Sequence, residues 1–397
     1  MKRSILLIFA LLMTQLICGQ DFVKQVNDNN EFCFDLYSYL NVENDNLFIS
    51  PFSVSTALAM TYEGAKEKTR EEMSVFMHFP LESSTINNNF QDIISRTQQS
   101  KDAKHYTFNI ANSLWAQNDF DFLQSYFNTV KTYYDAPIES VNYKDEASRE
   151  TARKRINKWT ENKTNDKIKG LLDKSALDFD TKLVLVNAVY FLAQWDKTFN
   201  KKSTKKDTFH TLSGMIVKEF MYLSSRMNYA KGDSVQVLEI PYKDKKASMI
   251  IILPDRPDQF TNLQKTFNYS YYNNLLKKAE YQNISLRLPK FKIEYKKDLA
   301  KIFYDAGMKR PFTNKADFTG MVCKDKQGVK IDKIIHQTFI NVDESGTEAA
   351  AATAVVMKRI TSINPNDKIK FNADHPFIFF IKENSTNSII FMGHLIK

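Results

Sequence analysis

The sequence predicts an α+β fold in one large domain. Three observations carry this expectation. Apolar residues recur at helical spacing through much of the first hundred residues, as in Phe22, Val26, Cys33, Tyr37 and Leu40. Further on, 183–192 and 248–253 are apolar on both alternating faces, which marks strands buried on both sides. No Pro-, Gly- or Ser-rich linker, low-complexity tract or internal repeat divides the 397 residues, so a single domain is preferred over the two or three that length suggests.

In chain order, 22–40 reads as a first helix. Ser50-Pro51 then offers a cap and a proline at the first helical turn. Val54, Ala57, Leu58 and Thr61 follow at helical spacing, and Gly64 closes that helix. Charged or polar helices are expected over 66–73 and 89–99, and a basic helix over 147–161. Strands are expected at 108–115, 183–192 and 248–254. Asn187 is the exception within the second of these, an amide that must find partners inside. Leu286 and Leu288 alternate in one phase and Phe291, Ile293 and Tyr295 in the other, so a bulge is expected at Pro289-Lys290. Residues 335–342 form a further strand. A terminal hairpin joins 377–381 to 388–391 around Asn384-Ser385-Thr386-Asn387.

Residues 1–19 read as a secretory signal, with Met1-Lys2-Arg3 ahead of a short apolar core. The expected mature chain is 20–397, secreted, and no apolar run of eighteen residues anchors it in a membrane. Removal of Lys2 and Arg3 lowers the formal charge from +9 to +7. Basic residues gather at Lys197, Lys201, Lys202, Lys205 and Lys206, and at Arg149, Arg153, Lys154, Arg155 and Lys158. Both groups read as solvated faces rather than nucleic-acid or heparin sites. Of three cysteines, Cys18 lies in the signal; Cys33 and Cys323 are expected to be free, partly buried thiols. Four sequons occur, at Asn162, Asn268, Asn283 and Asn384, with Asn384 expected to be the most exposed.

The organising stretch is Glu344-Ser345-Gly346-Thr347-Glu348-Ala349-Ala350-Ala351-Ala352-Thr353-Ala354-Val355-Val356, followed by Met357-Lys358-Arg359-Ile360-Thr361. Read at one spacing it is an alanine-rich helix with a capping box. Read at another it is a strand, with Thr347, Ala349, Ala351, Thr353 and Val355 on one small-sided face and Glu348 on the other.

Other motifs break the tie. Asn341 to Ala350 resembles the reactive-loop hinge of the serpins. Phe371-Asn372-Ala373-Asp374-His375-Pro376-Phe377 with Phe391-Met392-Gly393 resembles that family's C-terminal signature. Asn46 to Ser53, Asn187 to Phe191 with Trp195, and Asp317 to Met321 resemble further serpin motifs, in family order across nearly the whole mature chain. The resemblance implies a large, mainly antiparallel sheet, two smaller sheets, about eight or nine helices and an exposed reactive loop over about 344–366. It places Ser53, Asn187 and His336 at a shutter beneath the main sheet, with Trp195 where the loop first enters. Read without it, Ser53 is a helix cap or core hydroxyl and Trp195 a core aromatic.

No H-E-x-x-H, G-x-S-x-G, P-loop or G-x-G-x-x-G occurs, and the six histidines stand singly. Neither an enzyme, a metal nor a cofactor is expected. The resemblance instead implies a suicide substrate for serine proteases, cut in the loop and trapping the enzyme as an acyl complex when the hinge (Glu344, Gly346, Thr347, Glu348, Ala349, Ala350, Ala351, Ala352 and Thr353) inserts into the main sheet. Lys358-Arg359 favours a trypsin-like target and a cut at Arg359–Ile360; the family's usual register points to Ile360–Thr361 instead, and Met357 ranks third. Gly346 is expected to permit a sharp backbone change. Polar packing at Ser53, Asn187 and His336 is expected to be marginal, as suits a sheet that opens. A non-inhibitory carrier or decoy is the rival, disfavoured because the hinge carries no proline or inward charge. Glycosaminoglycan activation is weakly supported, since the helix near 89–99 offers only Arg96, and a monomer is expected.

Overall fold

The computed structural model describes residues 2–40, 45–98, 106–323, 328–347 and 368–397. Its helices are α1 (Lys2–Leu40), α2 (Pro51–Gly64), α3 (Glu67–Met77), α4 (Ser83–Gln98), α5 (Gln124–Tyr134), α6 (Glu146–Lys163), α7 (Phe260–Thr266), α8 (Tyr269–Lys277) and α9 (Ala300–Asp305). Strands in the first half are β1 (Leu47–Ile49), β2 (Tyr106–Gln117), β3 (Ile138–Val141), β4 (Leu183–Gln194), β5 (Lys205–Thr211) and β6 (Gly214–Lys231). The remainder are β7 (Val235–Pro241), β8 (Ala247–Pro254), β9 (Glu280–Pro289), β10 (Phe291–Asp298), β11 (Lys333–Val342), β12 (Gly346–Thr347), β13 (Ile369–Asn372), β14 (Phe377–Glu383) and β15 (Ile389–Leu395).

Two sheets result. One is six-stranded in the order β10-β11-β12-β4-β2-β3. The other runs β1-β15-β14-β8-β7-β6-β9-β13, with β5 also paired to β6. The 18-residue β6 passes through both halves of the latter, so the two further sheets implied by the resemblance form one hydrogen-bonded ladder.

β4 explains how the six-stranded sheet is covered. Leu183, Leu185, Val189 and Phe191 face the main core, which α2 shares, while Val184, Val186 and Ala188 face a second core under α6. In that second core Ala152 and Ile156 of α6 pack with Trp115, and Trp159 meets Trp115 edge-on. The amphipathic division follows the strand period of two. Asn187 falls on the α2 side, and α2 is buried along almost its whole length. The basic run of α6 is charge-compensated: Arg153 and Lys154 pair with Glu150, Arg155 with Glu139 and Lys158 with Glu161.

Two expectations need correction. Pro289-Lys290 is not a bulge. Pro289 ends β9 in one sheet and Phe291 begins β10 in the other, so the phase change of the apolar residues marks a strand switching sheets across a shared core. Cys33 is fully buried and Cys323 exposed; both are free.

Candidate functional site

The site has two parts along one strand, β4: one at its C-terminal end and one in its interior. The first is the entrance at the C-terminal end of β4. The Asp343 carboxylate accepts from the backbone N–H groups of Ser345 (2.7 Å) and Gly346 (3.3 Å), turning the chain back on itself after β11. β12 then lies between β11 and β4: Thr347 pairs with Val342 on one side, and Gly346 and Thr347 pair with Gln194 and Ala193 on the other. Below this wedge β4 and β11 pair directly and in parallel, from Val184 with Lys333 to Tyr190 with Phe339.

Gly346 is required here for a reason other than the expected sharp turn. A Cβ on it would sit 2.0 Å from the Ala193 carbonyl oxygen and 2.7 Å from the Gln194 Cα, both backbone atoms that cannot swing aside. Thr347 is fully buried, and its hydroxyl lies 2.6 Å from the Tyr242 hydroxyl. Tyr242 stacks on Trp195, with centroids 4.6 Å apart and planes 6° from parallel. Trp195 in turn donates its ring N–H to the Asp343 carbonyl (2.9 Å) and its backbone N–H to that of Ser345 (3.0 Å). Trp195 is thus at once a core aromatic and a hydrogen-bond partner of the turn that leads into β12.

Glu344 is nearly buried. Its carboxylate accepts from the Thr204 hydroxyl at 2.7 Å and pairs with Lys290 at 3.3 Å. Burial pushes this carboxyl up, but the Thr204 hydroxyl, the backbone and the Lys290 ammonium outweigh it and hold it below its usual range. Lys290 shifts up correspondingly: desolvation acts against its charge, and Glu344 and Glu219 prevail.

The second part lies about 20 Å down β4, at Asn187. The Asn187 amide donates to the Ser53 hydroxyl and to the Asn112 side-chain carbonyl, both at 2.5 Å. Its own carbonyl accepts from His336 Nδ1. The tautomer follows from the other ring nitrogen, because His336 Nε2 accepts the Ser50 backbone N–H at 3.1 Å. Burial lowers the His336 imidazole to about 3, so the ring is neutral. The expectation of marginal polar packing does not hold: Ser53, Asn112, Asn187 and His336 are all buried, and each is hydrogen-bonded.

The structure therefore brings Ser53, Asn187 and His336 together in one network and Glu344, Gly346, Thr347 and Trp195 in another. Glu348, Ala349 to Ala352, Thr353, Arg359, Ile360 and Thr361 lie outside the described residues. Sequence reasoning missed Asn112, an amide in a strand that also carries Asn109 and Ser113 and so does not stand out as Asn187 does. It also missed Asp343, Thr204, Tyr242 and Lys290, which carry no one-dimensional signal.

Of the sequons, Asn162 and Asn268 are exposed, and the Asn268 carbonyl caps α8 through the Tyr271 N–H. Asn283 is half-buried within β9. Asn384 is half-buried rather than the most exposed, because its amide donates to the Lys245 carbonyl (2.9 Å) and to the Ser248 hydroxyl (3.0 Å). Among the described residues no His/Cys/Asp/Glu group could hold a metal, and no helix is long and apolar enough to cross a membrane.

A sheet entered at one end by a short strand, with its two neighbours joined directly beyond, defines an architecture open to strand addition. A family model described as serpin (serine protease inhibitor) matches residues 27–397, and the chain belongs to the serpin family. It is 36% identical to Serpin B4 of Homo sapiens over 92% of this chain and 97% of that protein. It is 37% identical to the leukocyte elastase inhibitor of Xenopus laevis over 91% and 96%. Uncleaved ovalbumin superposes with a TM-score of 0.85 at 28% identity, covering 93% of this chain and 98% of ovalbumin.

Proposed function

We propose that this serpin is a secreted inhibitor of trypsin-like serine proteases that acts as a suicide substrate. The observation that carries the reading is the Gly346–Thr347 wedge, seated between β4 and β11 at the one point where a lengthening strand would enter.

In the proposed cycle the protease serine hydroxyl attacks the Arg359 carbonyl carbon. The Arg359–Ile360 C–N bond breaks, the Ile360 amine departs with the proton, and an ester to the protease remains. The strand freed beyond Thr347 then extends β12 between β4 and β11 and carries the ester-linked protease away before water releases it. The small alternation of Thr347, Ala349, Ala351 and Thr353 suits burial, and Glu348 falls on the opposite face. Ordering the strand costs about 1–2 kcal/mol per residue, so the uncleaved sheet has to be the less stable arrangement.

An arginine beside the cut bond can make paired, charge-assisted hydrogen bonds to a carboxylate in a protease pocket, whereas Ile360 in that position would suit an elastase-like pocket. Secretion is supported by the basic start and apolar core of residues 1–19, which precede the family match at residue 27. Purified protein incubated with trypsin is expected to give an SDS-stable complex and a released C-terminal peptide beginning at Ile360. A peptide beginning at Thr361 overturns the bond assignment. Cleavage without complex overturns inhibition in favour of the decoy reading.

A further inference from the structure

β6 serves two partners, and a cavity opens where they part. It pairs with β9 from Phe220 to Tyr229, but with β7 only from Asn228 to Lys231. Past the Asn228–Glu239 pair, Ile240 and Pro241 have no partner on β6, and Pro241 has no N–H to offer one. The divergence leaves a cavity of about 180 Å³ between β6 and the β7–β8 connection, with Asp196 and Lys197 also on its wall. A cavity of ~150 Å³ accepts a benzene ring, so this one has room for a single substituted ring.

The lining is divided by chemistry. Leu223, Met227, Ile240 and Pro241 give it an apolar wall. Lys197, Arg226 and Lys245 face two carboxylates, Asp196 and Glu239. Glu239 is already engaged by the Asn228 amide at 2.9 Å and by Lys382 at 3.6 Å, so the cations prevail. Lys197 donates to the Ser225 hydroxyl at 2.9 Å. Arg226 donates to the Tyr281 carbonyl at 3.1 Å and lies 4.6 Å over the Tyr281 ring, itself 54% exposed. Neither of these two cations has a carboxylate partner among the described residues.

Asn384 adds a directional group on the opposite wall. Its amide donates to the Lys245 carbonyl, which can only accept, and to the Ser248 hydroxyl, so its orientation is fixed. Its Oδ1 is then a buried acceptor with no donor among the described residues, an arrangement that costs free energy until a donor arrives. The Lys245 carbonyl is presented by a strained turn. Asp244 and Lys245 both take the left-handed region, at φ 63° and 53°, and neither is glycine. Backbone of this kind clusters at ligand sites, and apolar walls with a few convergent polar groups are what small-molecule sites use.

We propose that this cavity binds a small aromatic carboxylate with a hydrogen-bond donor at the end of the ring remote from the acid. The carboxylate takes charge-assisted bonds from Arg226 and Lys197, the ring lies along the apolar wall, and the donor reaches Asn384 Oδ1. The site stands apart from the hinge and the loop, and the inference does not rest on the inhibitory reading.

The test is isothermal titration of the bacterially expressed chain, in which no sugar occupies Asn384, with 4-hydroxyphenylacetate, phenylacetate and 4-methylphenol. The first should bind once per chain. The other two lack the donor and the acid in turn, and each should bind at least about tenfold more weakly. The Lys197→Ala/Arg226→Ala variant changes two exposed side chains, and its thermal midpoint verifies folding. It should weaken 4-hydroxyphenylacetate at least about tenfold. In methyl NMR the Met227 resonance, assigned through Met227→Leu, should shift on titration of the parent. Absence of saturable binding at millimolar 4-hydroxyphenylacetate overturns the proposal. So does affinity that the double variant leaves within twofold, or saturable binding that leaves the Met227 methyl unmoved. Phenylacetate binding as tightly as the hydroxylated acid overturns the role given to Asn384.

Discussion

The hydroxyls of Thr347 and Tyr242 meet at 2.6 Å, and this bond ties the second residue of β12 to the residue that follows β7 of the other sheet. Tyr242 is held in turn by its stack on Trp195. Tyr242→Phe should keep the stack and lose the bond, lowering unfolding stability by about 1 kcal/mol in denaturant titrations. Thr347→Arg would place a guanidinium at a fully buried position. That variant should be cleaved and released rather than trap protease, as judged by loss of the SDS-stable band; trapping equal to the parent's would disprove insertion for this chain.

Asn187 is the hub of the lower network, so its loss leaves more groups unpaired than the loss of any one partner. Asn187→Ala strands the His336 ring N–H in a buried site and removes a donor from both the Ser53 hydroxyl and the Asn112 carbonyl, which keep only their mutual bond at 3.4 Å. We expect a cost of ~3 kcal/mol or more, against ~1 kcal/mol for Ser53→Ala. The two should be strongly non-additive in a double-mutant cycle; simple additivity would argue that the network is not a unit.

The acid side of stability has a definite sign. Burial lowers His336 to about 3 and His394 to about 4, so both are neutral when folded and take up protons on unfolding below their ordinary value of about 6.5. Their contribution is complete above that value and is lost as pH falls through 6.5 towards 3–4, at up to about 1.4 kcal/mol per pH unit each. His78 has the opposite sign, because its hydrogen bond to Asp35 raises it. In ring-nitrogen NMR, His336 and His394 should remain neutral at pH 5 while His78 titrates above its ordinary value. A His336 midpoint near 6.5 would mean that the Ser53–Asn112–Asn187–His336 network is open in solution.

Strand addition also has a thermal consequence. In the uncleaved chain β4 and β11 pair directly from Val184 to Tyr190. A single nick within 357–361 should let the freed strand enter between them and raise the unfolding midpoint by tens of degrees, against the few degrees per kcal/mol of an ordinary substitution. An unchanged midpoint would favour the non-inhibitory carrier.

Much of this was legible in the sequence where one residue's neighbours along the chain decide its state. The two-faced burial of 183–192 could be read from composition alone, and Asn187 stood out because an amide in an apolar strand needs partners. Asn112 did not stand out, because Asn109 and Ser113 share its strand and only the fold shows which of them is turned to the Ser53 side. By contrast, Pro289-Lys290 looked like a bulge because a phase change within one sheet and a transfer between two sheets leave the same linear pattern. Asn384 looked exposed because turn residues usually are, yet its amide is engaged by Lys245 and Ser248 from β8 and the turn before it.

The sequence by itself determined the family, the first helices, the strands at 108–115, 183–192, 248–254 and 335–342, the small-sided alternation after Thr347 and the basic pair at Lys358-Arg359. These are local patterns and motif matches, carried by side-chain size and period. Only the tertiary structure decided that Gly346 is needed for backbone contact with Ala193 and Gln194, and that Glu344 is held by Thr204 and Lys290. It alone decided that His336 is neutral with its proton on Nδ1. Each of these depends on which groups share a low-dielectric site, and those groups lie from tens of residues to about 290 residues apart in the chain.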